Sequence, residues 1–378
     1  MRNLSTIKKI IIKVGSSSLC NQMGKIDKEK ILHLVLQISK LKKMGYSVVL
    51  VSSGAIASGM GALNLESKPQ TLPEKQALAA IGQGRLMQIY EDIFQLFQMK
   101  CAQVLVNHDD FDDLKRLLNL FHTVNALMDY GVIPIINEND ALAVEEIKVG
   151  DNDTLAALLV PVVEADLLVL VSDIDGLYTA NPHENKDAKL LKYVHCVDEN
   201  IESMAGGVSS RIGTGGMMTK IRAAKIVNAY GSHMVIVNGN KEDSILHIFD
   251  EEESGTWFNG NSGENLNARR HWLMYRTSSK GKIVIDNGAV EALRKYRKSL
   301  LPKGIIDVQS QFLIGQVIDI VDSCGMVIAR GISNYSSEEI KLIKGHNTSD
   351  IISILHYKDY DEVVHANNMV ILGGVRNG

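Results

Sequence analysis

Two short polar clusters hold the residues of this chain best equipped for chemistry: Asn137-Glu138-Asn139-Asp140 and Asp151-Asn152-Asp153. The first follows the apolar run Val132–Ile136, and the second precedes the apolar run Leu155–Val163. Acids and amides at the end of a buried strand, or at the start of a helix, can hold an amine, orient a cation or cap the helix; Asp153 suits a cap. Lys13 lies inside an apolar strand, just before Val14-Gly15-Ser16-Ser17. Glycine and serine crowd that loop least, so its backbone N–H groups are open to an anion. Lys220 closes the glycine-rich loop Gly213-Thr214-Gly215-Gly216-Met217-Met218-Thr219, which runs into a helix. A cation in the first turn of a helix is unfavourable, so Lys220 makes better sense where a phosphate shares the site. Plainer readings stand beside these: a strand-end lysine reaching water, a surface turn, a helix cap.

Two lysines, two glycine loops and an acid cluster suit phosphoryl transfer, a reaction that depends on positioning and on neutralising charge. If the acceptor is itself a carboxylate, two anions must meet. Unit charges at about 4 Å repel by roughly 4 kcal/mol at an effective dielectric of 20. Lysines and Mg²⁺ would offset this, and a carboxylate between the lysines could hold both ammonium groups. The loop ending at Lys220 matches neither Gly-x-x-x-x-Gly-Lys-Ser/Thr nor Gly-x-Gly-x-x-Gly, because position 218 is Met. Ordinary P-loop and Rossmann readings are thereby disfavoured.

The elements that must position these residues alternate over residues 1–250. Strands are expected at Ile7–Val14, Ser47–Val51, Ala102–Val106, Val132–Ile136, Leu167–Val171 and Met234–Val237. Between them, Ile31, Leu34, Val35, Ile38 and Leu41 fall at helical spacing after a capping Asp27 and before Gly45. Further helices are expected at Glu74–Gln98, Asp110–Tyr130, Asp153–Val163 and Gly216–Tyr230. Continuous apolar strands alternating with helices imply an α/β fold with a mainly parallel central sheet. Ligands of such sheets bind beyond the strands' carboxyl ends, where Gly15–Ser18, Ser52–Gly54, Asn137–Asp140 and Ser172-Asp173 all fall.

At 378 residues the chain is too long for one ordinary core, so two domains are expected. The pattern changes near Asn259–Asn267, a linker-like stretch of Asn, Gly and Ser. We place a first domain at 1–258, a linker at 259–273 and a small, mostly β domain at 274–378 with one helix near Ala289–Lys298. Hydrophobic content of 45% and charged content of 22% are those of a globular protein. Four scattered cysteines form no metal-like or redox pair and point to a reducing cytosol. Lysines interrupt the apolar run of Met1–Ile12, so no leader is expected, and no run approaches the roughly 20 apolar residues of a membrane span. The net charge of −4 does not mark a dedicated nucleic-acid binder. Residues 261–378 alone carry 15 Lys+Arg against 12 Asp+Glu.

Ile12-Lys-Val-Gly-Ser-Ser, Val51-Ser-Ser-Gly-Ala-Ile-Ala, Ile136-Asn-Glu-Asn-Asp, Val149-Gly-Asp-Asn-Asp, Ser172-Asp, Gly176-Leu-Tyr-Thr-Ala-Asn-Pro and Gly213-Thr-Gly-Gly-Met-x-Thr-Lys occur in this order. Together they resemble the glutamate 5-kinases of the amino acid kinase family, over about 250 residues. Ser299-Leu-Leu-Pro-Lys-Gly-Ile and Gly331-Ile-Ser-Asn-Tyr-Ser-Ser resemble the PUA domain often fused to that kinase. The resemblance implies an amino-acid-kinase sandwich that phosphorylates the γ-carboxylate of L-glutamate with ATP and Mg²⁺, the first step of proline biosynthesis. It implies that Lys13 and Lys220 contact phosphates and stabilise the transition state while Asp153 orients them. Ser53, Asp140 and Asn152 would bind glutamate, Asp140 at its α-ammonium. Lys13, Gly15, Ser172, Asp173 and the loop Thr214, Gly215, Gly216, Met217, Met218, Thr219 and Lys220 would lie at ATP; no residue is assigned as a metal ligand. The departures, Val14, Ser16, Ser52 and Met218, keep similar size or sit where backbone does the binding.

The family also implies a cytoplasmic homo-oligomer, dimer or tetramer, inhibited by proline and able to hand its labile acyl phosphate to a γ-glutamyl phosphate reductase. Acetylglutamate kinase and aspartokinase are the alternatives within the fold. A free-amine partner at Asp140 argues against the first, and a β-rich tail against the second. PUA domains often bind RNA, which leaves RNA binding open as an added activity of the tail. Its basic stretches, Arg269-Arg270 and Arg294-Lys295-Tyr296-Arg297-Lys298, read equally well as a solvated face.

Overall fold

The apolar runs of the sequence become strands whose polar carboxyl ends line up in one row. This is seen in a computed structural model that describes residues 4–372 apart from 22, 68, 112–113, 143–151, 183, 186, 206–215, 250–253 and 261–278. The chain divides into two compact units, Met1–Asn265 and Leu266–Gly378. The expected linker, 259–273, lies almost wholly outside the described residues.

The first unit runs β1 (Lys9–Val14), α1 (Ser16–Leu19), α2 (Lys28–Lys43), β2 (Ser47–Val51), α3 (Ala55–Ala62), α4 (Leu72–Leu96), β3 (Cys101–Val106), α5 (Leu114–Asp129) and β4 (Ile133–Glu138). It continues with α6 (Asn152–Val163), β5 (Leu167–Ser172), β6 (Tyr193–Val194), α7 (Glu199–Ala205), α8 (Met217–Tyr230), β7 (His233–Asn238) and β8 (Thr256–Phe258). The strands form one sheet in the order β3-β4-β2-β1-β5-β7-β8-β6. Its ladders are parallel except that β7 and β8 run antiparallel. Parallel neighbours need crossover connections, and the helices supply them. The central strands are mostly apolar and almost wholly buried because helices cover both faces; β5 is buried at all six positions. Register carries the polar ends into line: Lys13 lies beside Val51 and Leu170, Val51 beside Ile136, and Ser172 beside Asn238.

Local chemistry sets the helix ends. The Asp27 carboxylate accepts from the Glu29 N–H to start α2, and Gly45 beyond its end has a φ of +95°. Thr71 and Glu74 form a reciprocal capping box at the start of α4. Helices α3 and α4 approach to backbone contact through two glycines. A Cβ at Gly59 would stand 2.0 Å from the Leu78 carbonyl oxygen, and one at Gly82 would stand 1.8 Å from that of Ala55. The expected helix Asp110–Tyr130 divides into a 3₁₀ turn, His108–Phe111, and α5.

The second unit has its own core, including Ile283, Ile318, Ile320, Tyr335 and Val364. Strands β9 (Gly281–Ile285), β10 (Ile305–Gln309), β11 (Val317–Val321), β12 (Val327–Ile332) and β13 (Met369–Ile371) make a sheet ordered β10-β9-β11-β12-β13. The expected single helix is corrected to three among the described residues: α9 (Asn287–Tyr296), α10 (Ser337–Ile343) and α11 (Ile351–Leu355). The missed signal for α10 is the capping box of Ser336 and Glu339, which precedes buried Ile340 and Ile343. Among the described residues no helix is long and apolar enough to cross a membrane.

Candidate active site

Strand β1 and helices α6 and α8 meet at one acid. Helix α6 begins at Asn152, so Asp153 sits within its first turn rather than at the capping position before it. The capping role considered for Asp153 therefore gives way to another. Its Oδ1 lies 2.5 Å from Lys13 Nζ, and its Oδ2 lies 2.8 Å from Lys220 Nζ. Lys220 stands in the first turn of α8, and Thr219 places its Oγ1 3.2 Å from Asp153 Oδ2 and 2.7 Å from the Gly216 carbonyl. All three charged side chains are buried: Asp153 is 1% exposed, Lys220 5% and Lys13 8%. Burial works to raise the Asp153 carboxyl, and Lys13 and Lys220 more than reverse it, leaving the group below the ordinary carboxylate range. One carboxylate against two ammonium groups leaves a net positive charge at the start of α8, where the helix dipole is also positive. An anion there lowers the energy of the whole arrangement. Gly15 keeps the neighbouring space open: a Cβ on it would stand 3.7 Å from Lys13 Nζ.

A second network lies beside the first. Asn152 Nδ2 donates to Ser53 Oγ at 2.8 Å, to the Ser52 carbonyl at 3.0 Å and to Asn137 Oδ1 at 3.2 Å. Asn137 Nδ2 donates in turn to Gln83 Oε1 on α4 at 3.0 Å. The Ser52 and Tyr90 hydroxyls are 2.8 Å apart. Gly54, at φ +104°, turns the chain from Ser53 into α3, a conformation that favours glycine.

A cavity of about 270 Å³ opens next to this network, lined by Ala55, Ala79, Gln83, Glu138 and Asp140 among others. Burial pushes Asp140 up to about 6. Burial, and then the nearby Asp140, push Glu138 up to about 7. A cation placed beside these two acids would favour their charged forms.

Ser172 ends β5, one residue after the partner of Val14, and its hydroxyl donates to Asp173 Oδ1 at 3.1 Å. Just beyond, Asp175 accepts from Asn238 Nδ2 at 2.9 Å and pairs with Lys241 at 2.8 Å. Gly216 caps α8, Met217 opens it and Met218 is exposed. Thr214 and Gly215, expected at ATP, lie outside the described residues, as does Asp151. The structure thus brings Lys13, Asp153 and Lys220 together, and Ser53 and Asn152 together; Asp140 lines the adjoining cavity. Sequence reasoning missed Gln83 and Tyr90, polar groups seven residues apart on an otherwise apolar helix face. The partner of Gln83 is 54 positions away, beyond the reach of local patterns.

Residues 8–238 match the model of the amino acid kinase family, and residues 281–355 match that of the PUA domain. A glutamate 5-kinase of Caldanaerobacter subterraneus subsp. tengcongensis is 48% identical over 364 residues, covering 96% of this chain and 98% of that protein. A glutamate 5-kinase of Carboxydothermus hydrogenoformans is 46% identical over 370 residues, covering 98% and 99%. Among solved structures, a carbamate kinase from Giardia lamblia bound to AMP-PNP superposes with a TM-score of 0.48 at 19% identity, over 68% of this chain and 100% of that one. With a family match over most of the first unit, and relatives nearly half identical from end to end, the chain belongs to the amino acid kinase family, in its glutamate 5-kinase branch with a C-terminal PUA domain.

Proposed function

We propose that the chain transfers the γ-phosphoryl group of ATP to the γ-carboxylate of L-glutamate, giving γ-glutamyl phosphate and ADP, the first step of proline biosynthesis. The observation that carries this reading is the buried Lys13–Asp153–Lys220 cluster, whose neighbour Asn152 leads through Asn137 and Gln83 to a cavity lined by Glu138 and Asp140. Phosphoryl transfer asks the protein to position two anions and to spread positive charge over the transferred group. Lys13 and Lys220 supply that charge, and Asp153 fixes their separation without cancelling it. Ser53 and Asn152 orient the acceptor carboxylate. Asp140, with Glu138 beside it, receives the α-ammonium, which distinguishes a free amino acid from an N-acylated one.

ATP fits the net positive charge at the start of α8 and the open space at Gly15. Mg²⁺ belongs to the reading as the ion ATP brings, where it would neutralise phosphate charge. Among the described residues no group of three or more His, Cys, Asp or Glu could hold a metal by itself, and both Asp153 oxygens already face lysines. That donor set suits an ion held mainly by phosphates and water. A cytoplasmic homo-oligomer, feedback inhibition by proline and delivery of the acyl phosphate to a reductase complete the reading, supported by the family resemblance.

The test is γ-glutamyl hydroxamate formation from glutamate and hydroxylamine with purified protein, ATP and Mg²⁺. We expect product with glutamate and none with N-acetylglutamate or aspartate. Hydroxamate from either of those substrates, with none from glutamate, would sink the proposal.

A further inference from the structure

We infer that Gln83 binds substrate directly: its amide nitrogen donates to the α-carboxylate of glutamate, beside the acids that receive the α-ammonium. The inference rests on the glutamate reading above and deepens it. The sense of the amide network starts at a main-chain oxygen. The Ser52 carbonyl can only accept, so the Asn152 atom 3.0 Å from it must be the donor, Nδ2. The same nitrogen faces Asn137 at 3.2 Å, so Asn137 turns its Oδ1 there and keeps Nδ2 for its other side. That second nitrogen faces Gln83 at 3.0 Å, so Gln83 turns its Oε1 to it and keeps Nε2 for elsewhere. Turning any one amide over would set two donors or two acceptors against each other. The sense of the Gln83 amide is therefore decided by the backbone, two side chains away.

Nε2 carries two N–H groups and has no hydrogen-bond partner among the described residues. Gln83 lines the same cavity as Glu138 and Asp140. An α-amino acid brings two opposite charges on one carbon. The acids suit its ammonium, while its carboxylate only accepts and needs a donor close by. Of the other amides that line the cavity, Gln103 is exposed, and no neighbour among the described residues sets the sense of the Asn139 side chain. Gln83 presents a donor whose direction is fixed before substrate arrives, which lowers the cost of binding. Its position is held too. Asn137 is 2% exposed, and the neighbouring Gly82 brings α4 to backbone contact with α3 at the Ala55 carbonyl.

The experiment measures KM for glutamate and for ATP in wild type, Gln83→Glu and Gln83→Met. It adds the inhibition constant of γ-aminobutyrate, which is glutamate without its α-carboxylate. Gln83→Glu keeps an oxygen for Asn137 Nδ2 and loses only the donor; the uncharged Gln83→Met guards against a folding defect in the Glu variant. Losing a hydrogen bond to a charged group is expected to raise the glutamate KM about tenfold or more in both variants, with the ATP KM within about twofold of wild type. γ-Aminobutyrate, which has no α-carboxylate to lose, should bind both variants no more weakly than it binds wild type. A glutamate KM within about twofold of wild type in Gln83→Glu, an equal rise in the ATP KM, or a γ-aminobutyrate constant that rises with the glutamate KM would each overturn the inference. Should γ-aminobutyrate not inhibit wild type, the glutamate KM of Gln83→Glu decides. Wild-type turnover of glutamate tests the proposed function separately, so the two ideas can fail independently.

Discussion

Asp153 is the residue on which most of the chemistry turns. Its carboxylate is buried between two buried lysines, so Asp153→Ala would leave two ammonium groups in a dry site with no counter-charge. Breaking such a cluster costs about 3–5 kcal/mol, which thermal melting can read. ATP should restore more stability to that variant than to wild type, because its phosphates replace the missing charge. Lys13→Ala and Lys220→Ala are each expected to lower kcat at least ~100-fold; a kcat for Lys220→Ala within about twofold of wild type would remove its transition-state role. Asp140→Ala should act mainly on the glutamate KM. The cavity acids add a pH signature. Burial raises Asp140 to about 6, and burial with Asp140 raises Glu138 to about 7, so both hold protons further up the pH scale than ordinary carboxyls. The ammonium of glutamate favours their charged forms, so binding near those values should release protons, and affinity should rise with pH through that range. Titration calorimetry in buffers of different ionisation enthalpy counts those protons, and uptake instead of release would contradict the assignment. By the same linkage the folded chain binds more protons than the unfolded one between the ordinary carboxyl range and about 7, so these two groups make stability fall as pH rises there.

At the scale of elements, the site is held by helix starts and strand ends, and α4 has a larger part than its distance in sequence suggests. It touches α3 backbone to backbone through Gly59 and Gly82. Gly82→Ala would force a methyl group toward the Ala55 carbonyl, and overpacking of this kind costs about 1–3 kcal/mol. The strain falls on the turn that carries Ser53. We therefore expect a lower melting temperature and a raised glutamate KM, with the ATP KM little changed. Gly61→Ala, on α3, where nothing lies within 4 Å of an added Cβ, serves as the control. Strands β1 to β5 and β7 were legible from their apolar runs, and the start of α2 from Asp27, whereas the short β6 and β8 were not. The division of Asp110–Tyr130 and the extra helices of the second unit were not, because short elements have few apolar positions to count.

At the scale of the whole molecule, each unit carries a separate buried core. Ile320, fully buried in the second unit, tests their independence. Ile320→Ala should destabilise that unit by about 2–5 kcal/mol and shift one calorimetric transition, while the glutamate and ATP KM values stay near wild type. A loss of kinase activity in proportion to the loss of stability would show that the second unit supports catalysis.

By itself the sequence determined the alternation of strand and helix, the parallel sheet, and the meeting of polar clusters at the strands' carboxyl ends. Those follow from local periodicity and from the way βα units wind. Lys13, Asp153 and Lys220 could be named from residue type and motif order, since each stands beside a glycine loop or a helix start. Only the tertiary structure decided that Asp153 lies between both lysines instead of capping α6, and that Asn152 reaches Ser53. It alone joined Gln83 to Asn137. Those contacts join residues 54 to 140 positions apart; no local pattern encodes them, and they exist only once register and helix packing have brought the strand ends together.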